Sequence, residues 1–139
     1  MNSTIDTNVL LRLILNDEPE KSVAVTEFLN LSETARGSVE LQTATVSEIV
    51  YVLRSPRRGY SREEIVLALD AVIALPLRVI EHEIVRDAID LYRDVHPDWD
   101  DCVVAAYALR RNGGRILSYD KGLRRIPGLK RFEPPVTAS

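Results

Sequence analysis

Ser3-Thr4-Ile5-Asp6-Thr7-Asn8-Val9-Leu10-Leu11-Arg12-Leu13-Ile14-Leu15 decides how this chain folds. Ser3 to Asp6 is short and rich in β-branched residues, which suits an extended strand. Val9 to Leu15 is apolar nearly all round and broken only by Arg12. A helix of that composition is buried rather than amphipathic. A strand running into a buried helix sets an alternation that the rest of the chain repeats.

Glu18 to Leu31 reads as a more polar helix, with Pro19 suited to its first turn. Gly37 breaks it, and Ser38 to Thr43 reads as a second strand. Val46 to Leu53 is another apolar helix, ended at Ser55-Pro56. Ser61-Arg62-Glu63-Glu64 is a capping box that opens a helix to Leu75. Pro76 stops it, and Leu77 to Ile80 fits a short strand. Ile84, Val85, Ala88, Ile89 and Tyr92 mark one helical face. Pro97 to Asp101 opens a further helix, with Val103, Val104, Tyr107 and Ala108 as its stripe and Gly113-Gly114 as its end. Ile116 to Tyr119 is a strand, Asp120-Lys121-Gly122 is turn chemistry, and Lys130 to Glu133 fits a last edge strand. Strands alternating with helices imply an α/β fold with a parallel sheet and helices on its faces.

The 139 residues fit one compact domain, expected over 1–133, with a loosely ordered tail over 134–139. Hydrophobic residues at 45% and charged residues at 28% exclude a disordered chain. No apolar run reaches membrane-spanning length, and the first fifteen residues lack signal-peptide character. A soluble, cytoplasmic protein without membrane contact is the expectation. A single cysteine, Cys102, excludes a disulfide framework and a cysteine-based zinc site.

The net charge of −3 hides an uneven distribution. Residues 1–104 carry 10 basic and 19 acidic side chains, a balance of −9, whereas residues 105–131 carry 8 basic and 1 acidic, a balance of +7. A basic segment in an acidic chain suits contact with a polyanion, although a solvated surface has the same composition. The lone acid in that segment, Asp120, would repel a phosphate unless a cation stood between them.

In parallel α/β sheets, ligands collect at the carboxyl ends of the strands. Asp6 ends the first strand, Glu48 follows the second, and Asp120 ends the strand that starts near Ile116. Asp101, at the start of the preceding helix, is less constrained by topology. Each acid also has a local explanation. Asp6 or Thr7 can cap the helix that follows. Thr45-Val46-Ser47-Glu48 matches a capping box. Asp98-Trp99-Asp100-Asp101 can be a cap followed by acids that favour the helix dipole. Asp120 can be a turn residue. Singly, the structural explanation is the better one. As a set at the mouths of apolar elements, acids lose solvation and repel one another, and a bound cation relieves both penalties. Oxygen ligands without Cys or clustered His suit Mg²⁺ or Mn²⁺. Neighbouring helical residues diverge by about 100°, which sends Asp100 outward, while Asp98 and Asp101 share a face.

The stretches Ile5-Asp6-Thr7-Asn8-Val9-Leu10-Leu11, Val46-Ser47-Glu48-Ile49-Val50-Tyr51-Val52-Leu53, Asp98-Trp99-Asp100-Asp101-Cys102-Val103-Val104-Ala105-Ala106 and Leu117-Ser118-Tyr119-Asp120-Lys121 resemble the successive motifs of PIN-domain ribonucleases. The closest resemblance is to the VapC-type toxins of toxin–antitoxin pairs. It covers nearly the whole chain, with the motifs in order. It implies a three-layer α/β fold with a central, mostly parallel sheet flanked by helices. It implies Asp6, Glu48 and Asp101 as core acids, Asp120 as the fourth and Asp98 as an auxiliary metal ligand. Thr7, Asn8 and Ser118 match polar positions that steady the acids. The implied activity is Mg²⁺- or Mn²⁺-dependent endonucleolytic cleavage of RNA, leaving a 5′-phosphate and a 3′-hydroxyl.

On that reading Asp6 and Asp101 hold the principal metal, with Glu48 and Asp120 as further ligands or through water. Arg110, Arg111, Arg115, Lys121, Arg124 and Arg125 hold the RNA backbone, contacts that position without reading sequence. Asp100 departs from a position often small and apolar. Cys102 stands where Ala is common and reads as a core residue rather than a nucleophile. His82 and His96 lie outside the matched motifs and read as surface or helix-end residues. The resemblance also implies a homodimer and an antitoxin partner, with Val9 to Leu15, Val46 to Leu53 and Ser61 to Leu75 as candidate surfaces beside their role in the core. Two alternatives share the β/α order: a phosphoacceptor receiver domain, for which Ile5-Asp6-Thr7 lacks the usual acid pair, and a catalytically silent binding module.

Overall fold

In a computed structural model that describes residues 1–135, β1 (Ser3–Thr4), β2 (Val39–Leu41) and β3 (Arg78–Val79) pair in parallel, in that order. Ser3 lies opposite Val39, and Thr4 opposite Glu40. Glu40 lies opposite Arg78, and Leu41 opposite Val79. β4 (Arg115–Leu117) and β5 (Lys130–Phe132) form a second parallel pair, with Arg115 opposite Lys130 and Leu117 opposite Phe132. Every pairing is parallel, as the strand–helix alternation requires. The hydrogen bonds divide the five strands into a three-stranded and a two-stranded sheet.

Parallel neighbours need crossovers. Between β1 and β2 these are α1 (Thr7–Leu15), α2 (Pro19–Asn30) and α3 (Glu33–Arg36); between β2 and β3 they are α4 (Thr43–Arg54) and α5 (Arg62–Ile73). α6 (His82–Asp94) and α7 (Trp99–Arg111) precede β4, and a 3₁₀ turn, Lys121–Arg125, lies between β4 and β5. Among the described residues no helix is long and apolar enough to cross a membrane. The chain divides into two compact units, Met1–His82 and Glu83–Ser139.

In the first unit α1 packs on α2 and α4, and α4 packs on α5. The buried positions recur at helical spacing: Val46, Ile49, Val50 and Leu53 on α4, then Ile65, Val66, Leu69 and Val72 on α5. α1 is not buried all round, contrary to its composition. Thr7, Leu10 and Leu11 are buried, whereas Leu13, Ile14 and Leu15 are only half-buried. Tyr51 on α4 is likewise exposed.

The capping box at Ser61 forms as expected, with Ser61 Oγ accepting from the Glu64 N–H and the Glu64 carboxylate accepting from the Ser61 N–H. The one proposed at Thr45 does not. α4 begins earlier, at Thr43, with extended Gln42 before it, so Thr45 lies inside the first turn. The second strand is correspondingly shorter than 38–43. α3 has no counterpart among the elements that the sequence pattern implies; Ser32 caps its short turn.

In the second unit Ala105, Ala108, Ile116, Leu123 and Ile126 form the core, with Leu91, Val95, Leu109 and Leu129 packed against it. Tyr92 and Trp99 meet edge to face, with ring centroids 5.6 Å apart. Gly114 lets α7 give way to β4. Its φ is +84°, its N–H donates to Ala108 O, and its carbonyl accepts from the Lys130 N–H. A Cβ at this position would run into the carbonyl oxygen of Gly128. Of the tail expected over 134–139, Pro134 and Pro135 are exposed and lie outside any element, and the remainder lies outside the described residues.

Candidate metal and nucleic-acid site

Asp6 follows β1 and caps α1, its Oδ1 accepting from the Thr7 N–H at 2.8 Å. The Ile5 N–H donates to Glu40 O, which extends the β1–β2 ladder to the residue before Asp6. Thr7 is 3% exposed, and its hydroxyl donates to Glu48 Oε2 at 3.0 Å. Thr7 therefore holds both acids, one with its backbone and one with its side chain. With no cap at Thr45, Glu48 loses its local explanation and is drawn to a residue on another helix instead. Asn8 is exposed.

In the second unit Asp98 caps α7, accepting from the Asp101 N–H at 3.1 Å. Asp101 is half-buried and Asp100 exposed, as helical geometry requires. Asp120 accepts from the Gly122 N–H at 2.8 Å, while its own N–H donates to Ser118 Oγ at 3.0 Å. Ser118 thus steadies the turn that carries Asp120.

Among the described residues no three His, Cys, Asp or Glu side chains are gathered as a metal cage. The acids stand as two pairs, Asp6 with Glu48 through Thr7 and Asp98 with Asp101 through a backbone N–H, with Asp120 on its own turn. In Asp6, Glu48, Asp98 and Asp120 one carboxylate oxygen carries the bond described and the other stands outside it. Carboxylate oxygens are the ligands that a hard divalent cation such as Mg²⁺ or Mn²⁺ prefers.

His96 corrects the surface reading. It is 5% exposed, and its Nε2 lies 2.9 Å from Asp101 Oδ2. Its place just after α6, five residues before an acid, was the available signal. His82 does open α6, at a helix end. Cys102 is fully buried and its thiol donates to His96 O at 3.4 Å, which agrees with a core role.

The basic residues divide. Arg110 is engaged: its Nε donates to Asp87 at 2.7 Å, and Glu83 lies 3.4 Å from Nη1. The hydrogen bond to Asp87 leads the causes that raise its pKa. The guanidinium of Arg111 stacks on Tyr107 at 4.9 Å, and that of Arg115 on Phe132 at 4.6 Å. Lys121, Arg124 and Arg125 share the exposed 3₁₀ turn that follows Asp120.

No curated protein matches the chain. Among solved structures, the crystal structure of VapBC2 from Rickettsia felis bound to a promoter DNA fragment is similar at 15% identity and a TM-score of 0.40, over 96% of this chain and 98% of that one. The PIN domain profile matches residues 4–129, a span that holds all five carboxylates. The chain belongs to the PIN domain family.

Proposed function

We propose that this protein is a metal-dependent endoribonuclease that acts as the toxin of a toxin–antitoxin pair, its nuclease domain spanning residues 1–133. The observation that carries the reading is the Thr7 hydroxyl bond to Glu48, beside Asp6, within a PIN domain. An exposed glutamate held in place from another helix has a use beyond solvation. Asp6, Glu48, Asp101 and Asp120 would hold Mg²⁺ or Mn²⁺, with Asp98 auxiliary. When bound, such a cation lowers the pKa of a water and neutralises charge on the phosphate. The chain's own part is to orient: Thr7 sets Asp6 and Glu48, and Ser118 sets the Asp120 turn. Lys121, Arg124 and Arg125 supply backbone charge for RNA, with Arg111 and Arg115 beside them.

The resemblance in the four motifs supports an antitoxin partner, a homodimer and a cytoplasmic site of action. A receiver domain belongs to a different family and is set aside; a catalytically silent PIN domain is the remaining competitor. The test is cleavage of RNA by purified protein with Mg²⁺ or Mn²⁺, with chelator and with Asp6→Asn and Asp101→Asn. Both variants are expected to fold and to lose cleavage. Full activity in either removes that residue from the site, and no metal-dependent cleavage by the wild type favours the silent module. Mapping RNA ends after brief induction, against the Asp6 variant, identifies the target.

A further inference from the structure

His96 is clamped between two helices. Its N–H donates to Leu91 O at 2.9 Å, and its carbonyl accepts from Cys102 Sγ at 3.4 Å. The ring is buried and has one polar partner, Asp101 Oδ2 at 2.9 Å; Nδ1 is buried with none. An ionised carboxylate only accepts hydrogen bonds, so the network assigns a hydrogen to Nε2, while Nδ1 has no partner to use what it offers. A buried unpaired nitrogen costs free energy. Stability alone would favour an apolar side chain in this place.

Asp101 does not need His96 for its helix. Its backbone N–H is already capped by Asp98. What His96 adds is a fixed partner for one carboxylate oxygen, which restricts rotation of the carboxylate and leaves Oδ1 unengaged by that bond. Partners of this kind orient metal-binding carboxylates.

We infer that His96 is a positioning residue for Asp101: its Nε2–H holds Oδ2 so that Oδ1 is the oxygen offered to a divalent cation. The inference rests on Asp101 being a metal ligand, as proposed above. It is tested without RNA, by calorimetric titration of the full chain with Mn²⁺. Wild type, Asp101→Asn, His96→Met and His96→Gln are compared. Met and Gln are similar in size and flexibility, but only Gln carries an N–H donor.

His96→Met is expected to weaken Mn²⁺ binding by about tenfold and His96→Gln by less than about threefold, with both folded by circular dichroism. Equal affinities for folded His96→Met and wild type overturn the inference. So does a Gln variant as weak as the Met variant. If His96→Met does not fold, a tenfold loss in folded His96→Gln overturns it. A wild type that does not bind Mn²⁺, or an Asp101→Asn variant that binds it unchanged, overturns the metal site itself and the role of His96 with it. When wild type and Asp101→Asn behave as expected, a failure at His96 is confined to His96.

Discussion

The Thr7 hydroxyl donates to Glu48 Oε2 at 3.0 Å across 41 positions of sequence, joining the first turn of α1 to α4. Thr7→Val keeps the volume and removes the donor. Net stability is expected to fall by about 1–3 kcal/mol, the range that reaches up to hydrogen bonds with a charged acceptor. Metal affinity and RNA cleavage are expected to fall about tenfold, as when an outer partner of a metal ligand is removed. Urea unfolding beside Mn²⁺ titration separates the two effects; cleavage at the wild-type rate would detach Thr7 from the site.

Arg110 is bound to Asp87 and Glu83, whereas Lys121, Arg124 and Arg125 stand on an exposed turn beside Asp120. Arg110→Ala is therefore expected to leave RNA affinity nearly unchanged. Arg124→Ala and Arg125→Ala are each expected to weaken it and to lower the salt slope, by about 0.7 for each phosphate of a single strand that is no longer neutralised. Binding to a catalytically dead Asp6→Asn protein over a salt series reads this directly. A larger loss from Arg110→Ala than from Arg124→Ala would reverse the assignment.

Trp99 is 1% exposed and packs edge to face on Tyr92, which joins the start of α7 to α6 beside Asp98 and Asp101. Trp99→Ala is expected to cost about 3–5 kcal/mol, the range for a large aromatic removed from a core. Against a typical total of about 5–15 kcal/mol, that leaves little margin. Chemical denaturation measures it, and a cost below about 1 kcal/mol would mean that the pair does not anchor the helix.

Acid is expected to remove part of the stability held by caps and surface pairs. The Ser61 backbone N–H, then its side chain, lower the pKa of Glu64 from its ordinary 4.5, and Lys21, then Arg12, lower that of Glu18. A carboxylate with a depressed folded pKa contributes stability above its unfolded pKa and loses it as pH falls through the folded value. Glu64→Ala should therefore be less stable than wild type at pH 7, and the gap should close below 4.5. A gap that is constant with pH would show that the carboxylate charge has no part in the cap.

The sequence by itself determined the strand–helix alternation and the parallel pairing, short α3 excepted, because apolar spacing, caps and Pro or Gly stops are local signals. Ser61-Arg62-Glu63-Glu64 is readable because its two hydrogen bonds close within three residues. The same pattern at Thr45 misled, since helix α4 starts wherever tertiary packing and extended Gln42 set its first turn. α1 is less buried than its composition implies for a related reason: composition shows how apolar a helix is, not how many neighbours cover it. The motifs already marked Thr7 and Ser118 as residues that steady the acids; only the tertiary structure decided which acid each one meets, and it added His96. The Thr7–Glu48 bond spans α1 and α4, and His96 reaches Asp101 across the junction of α6 and α7. A hydrogen bond depends on a few tenths of an ångström between atoms distant in sequence, and no local pattern encodes that distance.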